Sequence, residues 1–531
     1  MSDWNPFWTE EVKIENGGRY PLLLNRFHDH LEEYLIKGIV SITDRLRYIS
    51  YCCWIIGDIE HTMNIDKYHD FEEAFRRRES ALAIGSFFLN PETELGNYVL
   101  YGRDYMRGRF EDINESYNTS FSVLPSNSLG AYGQYYKGTL QNWGITYIDD
   151  KGIIRLTDTG NELYRIMNRN YQENDYYLNY KGKKYVPGIV LLNWGKINVY
   201  DNIRDDLHTE ERNYYKRILF HLEQKSTEDY RRDTLTLYLE CIKEAEKKNV
   251  IFDERFISNI FYYQMYYRTD TEIEEFMPSS FLKDASFYWM IYEIHVYFQM
   301  WISVLFRDFL SALKRSQMGL SIDEVIDLIH TDSFNNQVGK FIKIKDNYID
   351  MTYGNFSKCI IQYSKTRVQL LVDRIADDDS INLSENCANI LMTFSLLYQR
   401  YLNLKDDKRY LKIRLNLSED YWYKDFFEIV EAINEKKIFE VLKLLLNRFI
   451  IQRHDNAMYE KRDLRRCWFT KSGERYIYQA DANIEWRSAK HDKICKFLFD
   501  MKLIDVKDNT FVVSKEGNEL YKELKENYYE E

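Results

Sequence analysis

Leu156-Thr157-Asp158-Thr159-Gly160-Asn161-Glu162-Leu163-Tyr164 and Val513-Ser514-Lys515-Glu516-Gly517-Asn518-Glu519-Leu520-Tyr521 carry one local pattern at two places in the chain. Each copy follows an amphipathic stretch that ends in a hydrophobic break, at Trp143-Gly144-Ile145 or at Lys502-Leu503-Ile504, and then a charged turn and a short strand. The strands Ile153-Ile154-Arg155-Leu156 and Phe511-Val512-Val513 are aliphatic and can present alternate residues to a core. The hydroxyl of Thr157 or Ser514 stands where it can cap the next helix. Gly160 and Gly517 permit tight packing there, and Glu162 and Glu519 fall where a helix dipole favours negative charge. The order predicts a winged-helix unit used twice, with a helix-turn-helix running into a two-stranded wing and a closing helix. The plainer reading is a chance match between two helix ends.

A chain of 531 residues predicts two or three units around a long helical body. With 45% hydrophobic residues a large core is available, and only 6 Pro and 22 Gly interrupt 45 Tyr and 30 Phe, which favours helices with aromatic faces over a turn-rich β-sandwich. The expected fold is mainly α: a multi-helix body with two small winged-helix (α+β) units. The expected organisation is an N-terminal helical region over 1–175 ending in a winged-helix unit, a connector over 176–207, a helical domain over 208–479 and a C-terminal winged-helix unit over 480–531. A net charge of −12 argues against uniform coating by nucleic acid but leaves room for a local basic patch. The 7 cysteines include the neighbours Cys52 and Cys53 and form no Cys-x-x-Cys pair, so reduced buried thiols are expected. The N-terminus lacks the basic and apolar regions of a signal peptide, and no run of apolar residues is long enough to span a bilayer; a cytoplasmic protein is the expectation.

Along the chain, Pro21 opens a helical stretch and Lys37-Gly38 breaks it. Thr43 is placed to cap the next helix, which carries Arg45, Arg47, Tyr48 and Tyr51 and becomes fully apolar by Trp54. Cations at the start of a buried helix need a carboxylate or a path to water, and Glu73 and Glu79 are candidates for pairing. A further helix over 71–89 contains Arg76-Arg77-Arg78, readable as a phosphate contact or as a solvated face with intrahelical Glu partners. Loops and short helices are expected over 90–127. Later periodicities predict helices near 208–224, 226–248, 253–267, 284–314, 321–331, 352–375, 384–402, 420–434 and 436–452. The stretch from Phe287 to Trp301 is aromatic on every side and belongs at the centre of a bundle.

Several constellations invite chemistry. His28, Asp29, His30 and Glu33 gather metal-binding residue types, yet the two histidines at i and i+2 on a helix point apart, so no metal is expected. Arg448 and His454 have the Arg-x4-6-His spacing of helical HEPN-type ribonucleases, though Phe449 follows where those enzymes carry a polar residue. Glu223-Gln224-Lys225 has the letters of a PD-(D/E)xK nuclease at a helix end, the wrong context for its metal chemistry. Phosphate-loop, dinucleotide, nucleophile-elbow and zinc-protease motifs are absent, and no cofactor is expected. Cations do collect before the second wing: Arg487, Lys490, His491, Lys493, Lys496 and Lys502, with Trp486 near the start and Lys461, Arg462, Arg465 and Arg466 preceding them. On a recognition helix these would contact DNA phosphates. The first unit instead carries Tyr132, Tyr135, Tyr136 and only Lys137, a composition suited to protein contact. Either unit could equally serve internal packing alone.

The segment from Lys37-Gly38-Ile39-Val40 to Trp54, with Phe75-Arg76-Arg77-Arg78-Glu79, Tyr135-Tyr136, Gly138, Leu140, Gly144-Ile145, Leu156-Thr157 and Gly160, resembles part of a family of uncharacterised bacterial proteins. These are large helical proteins often encoded near anti-phage or restriction genes. The resemblance covers about 130 residues of the N-terminal third, contains no catalytic motif, and departs from the family at Cys52-Cys53. It implies a non-catalytic, DNA-associated or scaffold component of a bacterial anti-phage defence system, working with a separate ATPase, helicase or nuclease. The alternatives are a kleisin-like adaptor bridging ATPase partners and a helical RNase using Arg448 and His454.

Overall fold

In the computed structural model, residues 21–529 are described except 41, 44, 90–105, 107, 111, 125, 225–228, 269–271, 343–347, 361–382, 417–428, 430, 462–466 and 485–489. The fold is mainly helical, with five small two-stranded sheets among the described residues. Four of them are antiparallel, and in one the partners are distant in sequence: Ser116–Asn118 pairs with Tyr185–Pro187. The chain divides into two compact units, Met1–Leu31 with Ser258–Tyr266 and Phe287–Ala489, and Glu32–Ile257 with Tyr267–Ser286 and Lys490–Glu531. Both copies of the repeated pattern lie in the second unit.

The first unit is built on the helix Lys283–Lys314, in which every residue from Ala285 to Phe306 is buried. Its aromatic faces are used on several sides at once. Phe298 packs against Phe394 and Phe449 with ring centroids 5.4 and 4.9 Å away, and Phe309 meets Phe469 edge-on at 5.6 Å. Such interlocking explains why this helix has no exposed face between Ala285 and Phe306.

The second unit is organised by the helix Leu46–Thr62, buried continuously from Leu46 to Ile59. Around it lie the helices Tyr68–Leu89 and Asp158–Tyr171 and the strand Ile154–Leu156. Trp194 sits among Trp54, Tyr171 and Tyr176 at 5.4, 4.6 and 4.6 Å. The helix has no side-chain cap of its own at Arg45. Thr43, expected to cap it, bonds Tyr135 O and Thr139 Oγ1 instead, and the Leu46 amide donates to Asp500 Oδ2 at 2.9 Å.

Several expected helices are shorter than their periodicity, each for a local reason. The helix expected over 208–224 is Thr209–Leu219, whose terminal carbonyls at Ile218 and Leu219 accept from the Arg231 guanidinium; His221 follows with φ +49°. The one expected over 226–248 is Arg231–Lys248, closed by Asn249 in the left-handed region. The one expected over 253–267 is Glu254–Tyr263, because Gln264 at φ +57° turns the chain into the strand Met265–Tyr267. The whole stretch beyond Ile360 in the expected helix 352–375, and most of the 420–434 helix, lie outside the described residues, as does much of 90–127.

The seven cysteines are free thiols, and burial raises the pKa of Cys52, Cys53, Cys241, Cys387 and Cys495. Among the described residues no helix is long and apolar enough to cross a membrane.

Candidate nucleic-acid interface in the C-terminal repeat

The repeated pattern produces the same joint twice. The first copy consists of the helix Lys137–Asn142, strands Thr146–Ile148 and Ile154–Leu156, and the helix Asp158–Tyr171. The second consists of the helix His491–Asp500, strands Ile504–Lys507 and Thr510–Val513, and the helix Lys515–Leu524. Each leading helix ends in a left-handed residue, Gly144 at φ +68° or Lys502 at φ +60°. The two bonds of a Schellman stop are present in both: Gly144 N to Gln141 O and Ile145 N to Leu140 O, and Lys502 N to Phe499 O and Leu503 N to Leu498 O, all 2.8–2.9 Å.

The hydroxyl then ties the stop to the closing helix. Thr157 Oγ1 donates to Gly144 O at 2.6 Å and accepts from Gly160 N at 3.1 Å; Ser514 Oγ donates to Lys502 O at 2.7 Å and accepts from Gly517 N at 3.0 Å. Asn161 and Asn518 reach back to the carbonyls of Thr157 and Ser514, both at 3.0 Å. Glycine is required by close approach: a Cβ on Gly160 would lie 2.2 Å from Ile145 O, and one on Gly517 2.0 Å from Leu503 O. The hydroxyl, the glycine and the asparagine of the pattern therefore each have a geometric role. The hairpins differ, since Asp508 and Asn509, both at positive φ, make a two-residue turn in the second copy, whereas Asp149–Ile153 forms a longer loop in the first.

The cations expected on the second leading helix are largely engaged within the chain. Ile494, Cys495, Phe497 and Leu498 form its buried face. Lys490 lies just ahead of it at φ +57°, is buried, and pairs with Glu32 while donating to Ile39 O. His491 is buried against Tyr238, with which its Nδ1 is hydrogen bonded. Lys493 and Lys496 flank Asp492 at 3.3 and 3.9 Å, and Lys502 holds Asp206 at 3.0 Å and approaches Glu516 at 3.8 Å. Lys490 and His491 thus face the interior and not a ligand, because the turn that starts the helix points them at Glu32 and Tyr238. Lys496, with 41% of its side chain exposed, is more accessible than Lys493 or Lys502. Arg487, Trp486, Arg462, Arg465 and Arg466 lie outside the described residues, as does the side chain of Lys461.

The base of this helix carries an ion cluster that the sequence does not announce. Arg45 contacts Asp500 through Nε and Nη2 at 2.9 and 2.7 Å and Asp201 through Nη2 at 2.6 Å. Burial opposes the charge on Arg45, but the two carboxylates outweigh it and raise its pKa. Arg47 pairs with Glu211 and donates to Ile197 O at 2.9 Å. Beside it, burial, then Arg47 and Arg212, lower His208 to about 4. Glu73 and Glu79 are not the partners of Arg45 or Arg47. Glu73 pairs with Arg77 one helical turn away, and Glu79 accepts from Tyr48 Oη at 2.8 Å and Tyr132 N at 3.0 Å. In the arginine triplet, Arg76 and Arg77 have the intrahelical Glu72 and Glu73, whereas Arg78 is buried on Asp58 at 2.6 Å.

In the first copy, Tyr132 and Tyr136 are fully buried, so these two tyrosines pack into the protein's own core. At its hairpin, Tyr147 and Ile148 remain about half exposed, at 48% and 45%. Elsewhere, Arg448 bonds Gln452 at 3.1 Å near the surface, whereas His454 is 2% exposed, accepts from Trp468 N at 3.2 Å and stacks on Phe469 at 4.0 Å. The imidazole needed for ribonuclease chemistry is thereby held inside the fold. His28 is buried against Tyr292 while His30 is exposed, and among the described residues no three His, Cys, Asp or Glu side chains converge as metal ligands. Glu223 lies in the turn after its helix, and Lys225 is outside the described residues. No protein-family profile, curated protein or solved structure matches the chain.

Proposed function

We propose that the two repeats are winged-helix units and that the protein is a non-catalytic, DNA-associated scaffold component of a bacterial anti-phage defence system, acting with a separate ATPase, helicase or nuclease. The observation that carries the reading is the joint formed alike at Thr157–Gly160 and Ser514–Gly517, which sets a helix, a hairpin and a closing helix in the order a winged-helix unit requires. In the second copy Lys493 and Lys496 stand on the helix that would approach DNA, and Lys507 is exposed on the hairpin. The carboxylate shared by the two lysines, Asp492, is itself exposed, and its 3.9 Å pair with the partly exposed Lys496 is weak enough to exchange for phosphate.

The test is duplex DNA binding at increasing salt, comparing the parent with Lys493→Glu/Lys496→Glu. Affinity that falls steeply with salt and is lost in the variant supports the DNA contact; salt-independent or absent binding overturns it. Lys490 is unsuitable for this test because its reversal would set a second carboxylate against Glu32.

One observation favours an adaptor role alongside this. Tyr147 and Ile148 leave exposed apolar side chains on the first hairpin, which a protein partner such as an ATPase head would bury. Co-purification with a product of a neighbouring gene, lost on Tyr147→Ser/Ile148→Ser, is the expected result.

A further inference from the structure

The chain after the first repeat carries a second, separate cationic surface. In Tyr176-Tyr177-Leu178-Asn179-Tyr180-Lys181-Gly182-Lys183-Lys184-Tyr185, aromatic and basic residues interleave. Three lysine–tyrosine couples form: Lys181 Nζ lies 4.2 Å from the Tyr177 ring centroid, Lys183 Nζ 5.3 Å from Tyr180, and Lys184 Nζ 5.8 Å from Tyr185. The first couple is anchored, because Lys181 also pairs with buried Asp58 at 2.6 Å. The other two are not. Lys183, Lys184 and Tyr185 are exposed, and neither lysine has a carboxylate within ion-pair distance among the described residues.

Their backbone, by contrast, is fixed. Thr119 donates from N to Lys184 O and from Oγ1 to Lys183 O, both at 2.8 Å, and Arg77 donates to Gly182 O at 3.4 Å. Strand pairing of Asn118 with Tyr185 and full burial of Val186 leave Tyr185 facing outward. Rigid presentation lowers the entropy lost when a ligand orders these side chains. Tyr185 keeps 59% of its surface exposed, apolar area beside Lys184 on a chain of net charge −12.

We propose that Tyr180, Lys183, Lys184 and Tyr185 form a binding surface for single-stranded nucleic acid, each ring taking a base and each ammonium the neighbouring phosphate. A single strand alternates a flat apolar group with an anion, and the two ring–cation couples repeat the same alternation. A duplex hides its base faces, so it can use only the lysines. The inference stands independently of the DNA contact assigned to the C-terminal repeat.

The experiment measures fluorescence anisotropy of a labelled oligothymidylate of about a dozen nucleotides, a length within the range such surfaces engage, with the full-length protein at several salt concentrations. Lys183→Glu/Lys184→Glu is expected to weaken binding at least about tenfold and to reduce the salt slope by about 0.7 for each phosphate that is no longer neutralised. Tyr185→Ala weakens binding and Tyr185→Phe retains it, which a purely electrostatic role would not produce. Lys493→Glu/Lys496→Glu is expected to lower duplex binding, whereas Tyr185→Ala lowers oligothymidylate binding and spares the duplex, so failure of the C-terminal DNA contact remains distinguishable. Equal thermal unfolding of parent and variants checks the fold. Absence of oligothymidylate binding, binding indifferent to Lys183 and Lys184, or recruitment through these residues to phosphatidylserine–phosphatidylcholine vesicles in place of the oligonucleotide overturns the proposal.

Discussion

Arg45 and Asp500 are 455 positions apart in the chain and form a buried ion pair, Nε to Oδ1 at 2.9 Å, in which Asp500 Oδ2 also accepts the Leu46 amide at 2.9 Å. One carboxylate thus ends the leading helix of the second repeat and caps the central helix of its unit. An anion at a helix N-terminus is favoured by the dipole, and here the same anion neutralises the guanidinium beside it. Removing Arg45 takes the cation away from buried Asp500, whereas removing Asp500 leaves Arg45 its second carboxylate, Asp201. Arg45→Ala is expected to destabilise the protein by about 3 to 5 kcal/mol in denaturant titrations. A midpoint unchanged from the parent would show that the pair contributes nothing.

The glycines of the repeats give a second prediction. Gly160→Ala and Gly517→Ala each drive a methyl into a carbonyl oxygen, and each is expected to cost about 1 to 3 kcal/mol. Gly138, with open space around its Cβ position, serves as the control, and Gly138→Ala is expected to be neutral or slightly stabilising when all three variants are compared by thermal unfolding.

The lysines of the second repeat separate by burial. Lys490→Ala removes the cation that pairs with buried Glu32 and is expected to cost about 3 to 5 kcal/mol. Lys496→Ala, at a partly exposed position, is expected to stay within about 0.5 kcal/mol of the parent. Equal losses for the two in chemical denaturation would contradict the burial that distinguishes them.

Glu79 makes stability depend on pH. Burial, opposed by bonds from the Tyr132 amide and the Tyr48 hydroxyl, pushes its carboxyl from 4.5 up to about 7. Between those values the folded chain keeps a proton that the unfolded chain has released. The contribution is therefore full below about 4.5 and lost as pH rises through about 7. Glu79→Gln is expected to flatten this dependence and to raise stability above pH 7 by on the order of 3 kcal/mol. Urea midpoints of parent and variant at about pH 5 and about pH 8 check it, and parallel shifts in both proteins would refute it.

Much of the local structure was legible in the sequence because its causes are local. The Ser/Thr cap, the glycine three residues later and the break before the hairpin each act within a few residues, so their order named the joint in both copies. The all-round aromatic stretch Phe287–Trp301 marked a buried helix, since no face of it could be solvated. Helix ends such as Leu219 and Tyr263 were less readable, because one is closed by Arg231 from the next helix and the other by a left-handed Gln264.

By itself, then, the sequence determined a mainly helical chain, the two helix–hairpin–helix joints and the need for Arg45 and Arg47 to find partners. Only the tertiary structure decided which charges are available. Lys490 and Lys496 look alike in sequence, yet one is sealed on Glu32 and the other reaches water; Arg45 looks unaccompanied until Asp500 is brought to it. Lys183 and Lys184, ordinary residues of a polar connector, become an exposed surface once Thr119 fixes their backbone. The reason is physical: hydrogen-bonded turns and caps are set by near neighbours, whereas desolvation and ion pairing depend on whatever the fold delivers from elsewhere in the chain.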